Sequence, residues 1–395
     1  MTFAKRINAL QPSATMAVIE AAARLREQGV DVISFGAGEP DFDTPEHIIA
    51  SANRALAEGK TRYTPGSGTS TLKQAIAKKM KQDNGLEYEP GQIVVSNGGK
   101  HSLFNIMMSL FEAGDEVIIL TPYWVTYPEV VKLSGAEPVY VETHERDGFQ
   151  ITREQLLSGV TGNTKGMIIN TPSNPSGAVL NRASLQAIVD VANEHDLWII
   201  SDECYEALVY EGEHISLAGF EGAYERTITV QTMSKAFAMT GWRIGYAAST
   251  PALASAMGKF QGQATGCPNS IAQYASETAL TEEPVFLDGW RKQFLERRNY
   301  MVKALNDMPG MTCLMPEGAF YAFPKVSDLF GKKAGDVIIE NDMDLTKYLL
   351  DVAHVTVVPG SAFGAAEHIR LSYATSLDAI KTGLDRFASA VAKLN

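Results

Sequence analysis

The sequence predicts an α/β protein in which a mostly parallel, seven-stranded sheet lies between helices, joined to a smaller α+β domain. Seven short β-rich runs alternate with helical patterns between about residues 92 and 250, which is typical of a sheet covered on both faces. A long helical pattern at 286–306 separates them from a further αβ section. We therefore predict an N-terminal arm with part of the small domain at 1–45, a large domain at 46–285 and a small C-terminal domain at 286–395.

The first ninety residues predict three helices, one short strand and two loops. The helices are expected at 13–28, 44–59 and 70–84, the strand at 32–35, and the loops at 36–42 and 60–68. Ser13 is placed as the N-cap of the first helix, which Gly29 ends. Thr44 and Pro45 are placed as N-cap and first residue of the second helix, and Tyr63 at the tip of the second loop.

The remaining elements follow from the same patterns. The seven strands of the large sheet are predicted at 93–96, 117–120, 138–141, 165–170, 198–201, 227–231 and 244–248. The C-terminal section has predicted strands at 312–314, 319–323, 355–358 and 369–373, and helices near 344–353 and 377–393. Such sheets bind ligands at the carboxyl ends of their strands, so we expect the chemistry just after each apolar run.

Composition excludes several classes of partner. The 395 residues carry 46 acidic and 34 basic side chains, a net charge of −12, which argues against a surface for nucleic acid or anionic membrane. The apolar runs are too short to span a bilayer, and the first residues lack the apolar core of a signal peptide, so a cytoplasmic protein is expected. The three cysteines have no CxxC spacing, and we expect neither disulfides nor a metal site.

One lysine occupies an unusual position in the chain. Lys235 lies among Ala, Phe, Met and Trp in the sequence. Such apolar neighbours are expected to desolvate the amine in part, which disfavours the ammonium form and makes the amine a better nucleophile toward a carbonyl. Ser234 and Arg243 add a hydroxyl and a planar cation, which together suit a phosphate ester. A solvated surface lysine is the ordinary alternative.

Two further strand ends carry features that suit a flat, phosphorylated ligand. Gly99 and Lys100 follow the 93–96 strand at the predicted start of a helix, where free N–H groups and the helix dipole attract phosphate. Trp124 follows the 117–120 strand and could stack on a ring. A tight turn and a core aromatic are the respective alternatives.

Four more residues complete the pattern. Asn174 stands between two prolines that stiffen its backbone, as suits an amide held out to donate a hydrogen bond. Asp202 ends an apolar strand and suits a carboxylate that keeps a heteroaromatic nitrogen protonated, with Tyr205 close to a neighbouring ring oxygen. Arg370 suits a bidentate clamp on a substrate carboxylate. The alternatives are an Asn-Pro turn for Asn174, a helix N-cap for Asp202 and an outward-facing surface position for Arg370.

Together these residues match the requirements of pyridoxal 5′-phosphate: an amine for its aldehyde, a carboxylate for its pyridine nitrogen, donors for its phenolic oxygen, a stacking aromatic and a phosphate cradle. The chain also resembles the class I aminotransferases of PLP fold type I, most closely the bacterial aspartate and prephenate aminotransferase subgroup. The resemblance lies in PSAT (12–15), GEPDF (38–42), YTPG (63–66), GGK (98–100), PYW (122–124), NPSG (174–177), SDE (201–203), SK (234–235), GWRIG (241–245) and RLSY (370–373).

The resemblance assigns a role to each motif residue. It implies that Lys235 bonds to the cofactor aldehyde, while Asp202 pairs with the ring nitrogen. The other implied cofactor contacts are Asn174 and Tyr205 on the phenolic oxygen, Trp124 over the ring, and Gly99, Lys100, Ser234, Arg243 and a second subunit's Tyr63 at the phosphate. Arg370 and the Gly38 backbone take the α-carboxylate, with Trp124 and Asn174 also near the substrate, and the chain forms a homodimer with shared sites.

The implied reaction is a ping-pong transamination between an L-amino acid and a 2-oxo acid, with aspartate and 2-oxoglutarate as the expected pair. The alternatives are an aromatic or prephenate aminotransferase, or a lyase on the same fold. Subgroup members acting on dicarboxylates or prephenate often have Lys just before PSAT, where this chain has the neutral Gln11, which disfavours prephenate in particular. Thr15, Lys100 or an arginine would have to compensate.

Overall fold

The computed structural model describes residues 3–12 and 14–395 and has the predicted α/β architecture. The helices are α1 Lys5–Asn8, α2 Ala14–Glu27, α3 Glu46–Ala57, α4 Ser70–Asn84, α5 Gly99–Leu110, α6 Thr126–Ser134, α7 Arg153–Ser158, α8 Arg182–Glu194, α9 Pro251–Ala264, α10 Ser270–Thr281, α11 Phe286–Asn306, α12 Asp342–Tyr348 and α13 Leu377–Val391. The strands are β1 Ile33–Ser34, β2 Ile93–Ser96, β3 Glu116–Thr121, β4 Glu137–Glu142, β5 Thr164–Asn170, β6 Trp198–Asp202, β7 Thr227–Thr232, β8 Gly245–Ala248, β9 Tyr321–Ala322, β10 Lys333–Ala334, β11 Val337–Ile338, β12 Val355–Thr356, β13 Val358–Pro359 and β14 Ile369–Ser372.

The central sheet has seven strands in the order β2-β8-β7-β6-β5-β3-β4. The pairs from β7 to β4 are parallel, whereas β8 runs antiparallel to both of its neighbours. All seven strands were predicted within two residues at each end. Because β2 to β7 all point the same way, their carboxyl ends meet at one edge of the sheet, where β8 begins.

Both faces of this sheet are buried, which explains why its strands read as continuous apolar runs. Successive residues of β5 alternate between two clusters: Ile168 packs with α5, α6 and α9, whereas Met167 and Ile169 pack with α7 and α8. A third cluster lies at the β2 edge and includes residues of α3, α4 and α10. The alternation of side chains along a strand thus supplies two cores from one sheet.

The C-terminal section has its own core, built around α11, α13 and the antiparallel sheet β13-β14-β9. Strand β1 pairs in parallel with β12, so the N-terminal strand adds to this section. Both features accord with the division into domains at 1–45, 46–285 and 286–395, whose exact boundaries stay a prediction. Among the described residues, no helix combines the length and apolarity needed to cross a membrane.

Several local predictions were wrong. Residues 312–314 form a single bridge rather than a strand, and 355–358 divides into β12 and β13, because the chain switches from one small sheet to another. The helix expected near 344–353 is present: α12 begins at Asp342 and is continued by a π-helix at Leu349–Ala353. Thr44 does not cap α3; its hydroxyl donates to the carbonyl of Ala238 at 2.7 Å instead. The predicted N-cap Ser13 lies outside the described residues.

Candidate active site

A cavity of about 530 Å³ lies at the carboxyl edge of the central sheet. It brings together nearly all the site residues predicted from the sequence: Gly38, Gly99, Lys100, Trp124, Asn174, Asp202, Tyr205, Ser234, Lys235, Arg243 and Arg370. These residues come from the ends of β2, β3, β5, β6 and β7, from the loop before β8, and from β14. The rule that ligands bind beyond the strand ends therefore placed the residues of the large sheet correctly, whereas Gly38 follows β1 and Arg370 lies within β14.

Lys235 is fixed by the loop that follows β7. Its Nζ donates a hydrogen bond to the Gly38 carbonyl at 2.6 Å and lies 5.7 Å from the Tyr205 ring centroid. Burial lowers the pKa of this amine below its ordinary value, because the interior solvates an ammonium poorly. The neutral, nucleophilic form is thereby favoured, as the local sequence predicted.

Asp202 ends β6, and its carboxylate is buried beneath the cavity. The Tyr127 hydroxyl donates to Oδ2 at 2.8 Å, and the Cys204 N–H donates to Oδ1 at 3.3 Å. Burial raises the pKa of Asp202, and no lysine or arginine within residues 3–12 and 14–395 forms a salt bridge with it. A protonated ring nitrogen would supply the missing counter-charge.

The start of α5 forms an anion cradle. Gly98 precedes the helix at φ +92°, and the N–H groups of Gly99 and Lys100 have no acceptor one turn earlier. The space is tightly fitted, since a Cβ on Gly98 would stand 2.6 Å from the Arg243 guanidinium. Arg243 itself adopts φ +57° and donates to the Thr240 carbonyl at 2.7 Å. A phosphate group fits these donors, because they are positive, close together and open to the cavity.

Two hydroxyl groups line the same cavity as the anion cradle. Ser234 hydrogen-bonds through its Oγ to Thr232 Oγ1 at 2.9 Å, and both residues line the cavity. Lys100 lies with its Nζ 5.1 Å from the Trp124 ring centroid. Burial lowers the pKa of Lys100, and the nearby positive charge of Arg243 lowers it further. An anionic ligand would relieve that repulsion.

Arg370 is a buried cation with no carboxylate partner in the described part of the chain. Its two terminal nitrogens donate to Asn174 Oδ1 and to the Gly36 carbonyl, each at 2.9 Å, and its Nε–H has no partner there. The guanidinium lies between aromatic rings, 4.5 Å from the Tyr321 centroid and 5.0 Å from that of Phe363. The alternative of an outward-facing surface arginine is therefore wrong.

Tyr63 is the one predicted cofactor contact that does not line the cavity. Its side chain is 98% exposed, at the tip of the loop between α3 and α4. This position is compatible with the prediction that the residue serves a second subunit, which stays a prediction.

Four residues that sequence reasoning missed also shape the site. Asn170, at the end of β5, donates to the Asp202 carbonyl at 2.9 Å and accepts from the Asn174 N–H at 2.8 Å. Tyr321 hydrogen-bonds to the Tyr205 hydroxyl at 2.8 Å. The other two are Tyr127 and Glu39. Asn170 could have been found, because it too is a polar residue closing an apolar strand; Tyr127 and Tyr321 have no comparable local signal.

The chain matches known proteins over its full length. The family model for aminotransferases of class I and II matches residues 30–387. The aspartate aminotransferase of Bacillus subtilis is 45% identical over 396 residues, 100% of either chain, and the aspartate/prephenate aminotransferase of Nitrosomonas europaea is 42% identical over 98% of this chain and 99% of its own.

Solved structures agree with these matches. The aspartate aminotransferase of Rhizobium meliloti has a TM-score of 0.97 at 43% identity and covers 100% of both chains. That of Thermus thermophilus with maleate has a TM-score of 0.94 at 42% identity, covering 99% of this chain and 100% of its own. The predicted PLP fold type I architecture is confirmed, and the chain belongs to the family of class I and II aminotransferases.

Proposed function

We propose that this aminotransferase binds pyridoxal 5′-phosphate in the cavity and transfers the amino group of L-aspartate to 2-oxoglutarate. The observation that carries the proposal is the convergence on one cavity of a buried amine, a buried carboxylate and a buried guanidinium, those of Lys235, Asp202 and Arg370. Among the described residues, none of the three forms a salt bridge with a group of opposite charge. An aldehyde, a pyridinium and an α-carboxylate are the groups that complement them.

The residues have separate tasks in binding the cofactor. Gly99, Lys100, Ser234 and Arg243 would hold the phosphate through the α5 N-terminus, a hydroxyl and a guanidinium. Asp202 would hold the ring nitrogen, Asn174 and Tyr205 the phenolic oxygen, and Trp124 the ring face. Lys235 would bond to the cofactor aldehyde until the substrate amine takes its place and releases the lysine as a free amine. The bound cofactor would supply an electron sink for the bond electrons released at the substrate α-carbon.

The remaining chemistry belongs to the protein. Arg370 would bind the α-carboxylate, aided by the Gly38 backbone, and so fix the orientation of the α C–H bond. The freed amine of Lys235, with its lowered pKa, would take the proton from the α-carbon and deliver it to the cofactor. Trp124 and Tyr205, which line the cavity, would help to exclude water from the reacting carbon.

A second cation is needed for aspartate and 2-oxoglutarate, since both carry a distal carboxylate. Gln11 is neutral and is not among the lining residues. The Lys100 side chain lines the cavity beside Trp124 and has no carboxylate partner within the described residues, so we assign the distal carboxylate to its ammonium. The names of the relatives and the maleate, a dicarboxylate, bound to the Thermus thermophilus protein support an acidic substrate.

The test is the first half-reaction without an acceptor. Purified protein loaded with pyridoxal phosphate and mixed with L-aspartate should release one equivalent of oxaloacetate per chain and no ammonia. Lys235→Ala should release none, whereas Lys347→Ala, which removes an exposed lysine of α12, should behave like the wild type. Catalytic release of ammonia would instead indicate a lyase and refute the proposal.

The substrate assignment has its own test. Lys100→Met should raise the KM for L-aspartate about tenfold or more, the value of one charge-assisted contact, and leave that for L-alanine much less affected. An equal change for both amino acids would show that Lys100 serves only the cofactor.

We also propose a homodimer in which each subunit lends its exposed Tyr63 to the other's phosphate. Mixing the inactive variants Lys235→Ala and Tyr63→Ala should then restore part of the activity, because one mixed dimer contains one intact site. A monomer in solution, or no recovery on mixing after subunit exchange, would refute shared sites.

A further inference from the structure

Tyr127 reaches the carboxylate of Asp202 from helix α6, a position that none of the roles above requires. Its hydroxyl donates to Oδ2 at 2.8 Å, and its side chain is only 2% exposed. The ring packs edge-on against Trp124, with 5.5 Å between centroids and an 87° angle between planes. A phenylalanine would fill the same space, so packing alone does not account for the hydroxyl.

Few other groups act on this carboxylate. Cys204 acts on it through its N–H, which donates to Oδ1 over a longer 3.3 Å, and through its thiol, and the adjacent Glu203 is a like charge. The amide of Asn170 fixes the main chain of Asp202 through its carbonyl but does not touch the side chain. The Tyr127 hydroxyl is therefore the shortest described contact on the part of Asp202 that meets a ligand.

The hydrogen bond favours the charged carboxylate. Burial raises the pKa of Asp202, and the donated hydrogen bond from Tyr127 opposes that rise because it stabilises the anion. Burial also raises the pKa of Tyr127 well above its ordinary value, so the phenol keeps its proton and remains a donor. The pair is thus arranged with the proton on the tyrosine and the charge on the aspartate.

Resting on the proposed function, we propose that Tyr127 is a positioning residue for the cofactor, which orients the Asp202 carboxylate and keeps it charged for the pyridine nitrogen. It acts through Asp202 and has no assigned contact with the substrate. Removing the Tyr127 hydroxyl should therefore weaken the binding only of ligands whose ring nitrogen pairs with Asp202.

The experiment compares two ligands on the apoprotein. Kd is measured for pyridoxal 5′-phosphate and for its 1-deaza analogue, which has carbon in place of the ring nitrogen, in the wild type and in Tyr127→Phe. We expect about tenfold weaker binding of pyridoxal phosphate by the variant, the effect of one hydrogen bond to a charged group, and unchanged binding of the analogue. Tyr348→Phe is the control, since that buried hydroxyl donates to the Ala390 carbonyl at 3.0 Å, in the C-terminal section.

The outcomes separate the inference from the function on which it rests. Equal weakening of both ligands would assign Tyr127 a merely structural role, and no weakening of either would remove any role for its hydroxyl; both overturn the inference alone. A wild type that binds neither ligand would overturn the proposed function with it. If Tyr127→Phe does not fold, 3-fluorotyrosine at this position, a stronger donor of nearly equal size, should tighten the binding of pyridoxal phosphate only, and no difference would overturn the inference.

Discussion

Replacing Arg370 with lysine separates the guanidinium's geometry from its charge. The fork of Arg370 bonds simultaneously to Asn174 Oδ1 and the Gly36 carbonyl, and a third donor, Nε–H, is buried without a described partner. A lysine keeps the positive charge at one point only, so it cannot hold both protein acceptors and also grip a carboxylate with two parallel hydrogen bonds. Arg370→Lys should therefore bind an α-carboxylate poorly.

The expected loss follows from the contacts. One charge-assisted hydrogen bond contributes about 1.5–3 kcal/mol, and each 1.36 kcal/mol is a factor of ten, so kcat/KM for L-aspartate should fall about 10- to 150-fold. The loss should appear mainly in KM, because the same carboxylate is held in the ground state and in the transition state.

The assay is the single-turnover rate with L-aspartate and with a simple amine that lacks the α-carboxylate. Arg370→Lys should slow the reaction of aspartate and leave the much slower reaction of the amine unchanged. Arg298→Lys provides the matched control, because Arg298 is equally buried but bonds to the Pro316 carbonyl and Glu211, outside the cavity. If Arg370→Lys slows the reactions of both substrates to the same extent, the arginine has only a structural role and the carboxylate assignment is wrong.

Three further predictions concern stability and binding. Gly245→Ala should lower the Tm and weaken pyridoxal phosphate binding more than tenfold, because the added Cβ would lie 2.4 Å from the Gly99 nitrogen and backbone cannot move aside cheaply; unchanged values in both measurements would contradict the cradle geometry. The pair of Glu203 and His214 should stabilise the fold most between about pH 4.5 and 6.5. Burial alone would raise the pKa of Glu203, but the charge of His214 and the hydrogen bonds to the carboxylate lower this pKa overall, so the stabilisation is lost as the pH falls below 4.5. Burial alone would lower the pKa of His214, but Glu203 raises this pKa above 6.5, so the stabilisation is lost as the pH rises through that higher value. The difference in Tm between wild type and His214→Asn should accordingly shrink at alkaline pH, and a difference that is constant from pH 5 to 9 would contradict this. Succinate should raise the Tm of the loaded wild type more than that of Arg370→Lys, and an equal rise would show that it binds elsewhere.

The large sheet was predictable because its strands are buried on both faces. Runs such as 93–96 and 117–120 are apolar over most or all of their length, and turn signals separate them, so their ends were within two residues of the observed ones. The small sheets were less predictable, since β12 and β13 are two residues each and differ only in which strand they pair with. Pairing partners are set by tertiary contacts, which a local pattern does not contain.

The site was predictable to the extent that its residues lie at strand ends. Asp202, Asn174 and Lys235 each follow an apolar run, and parallel topology then brings them together. Tyr321 and Tyr127 were not predictable, because each acts through another side chain and its partner is known only once two distant segments meet. Supporting contacts of this kind depend on tertiary packing, so no residue spacing in the sequence predicts them.

The electrostatics of the cavity explain why these groups act together. Four basic side chains line it, those of Lys100, Lys235, Arg243 and Arg370, and none forms a salt bridge with a described carboxylate. Asp202 likewise has no salt bridge to a described basic side chain. Burial raises the pKa of Asp202 and lowers the pKa values of Lys235 and Arg370. Each shift favours the neutral form, because removing a charge from water costs free energy. A ligand with a phosphate, a pyridinium and carboxylates supplies the missing charges in the same places. Binding and protonation are therefore coupled: the ligand that pairs with these groups also fixes which of them carry a proton when the reaction begins.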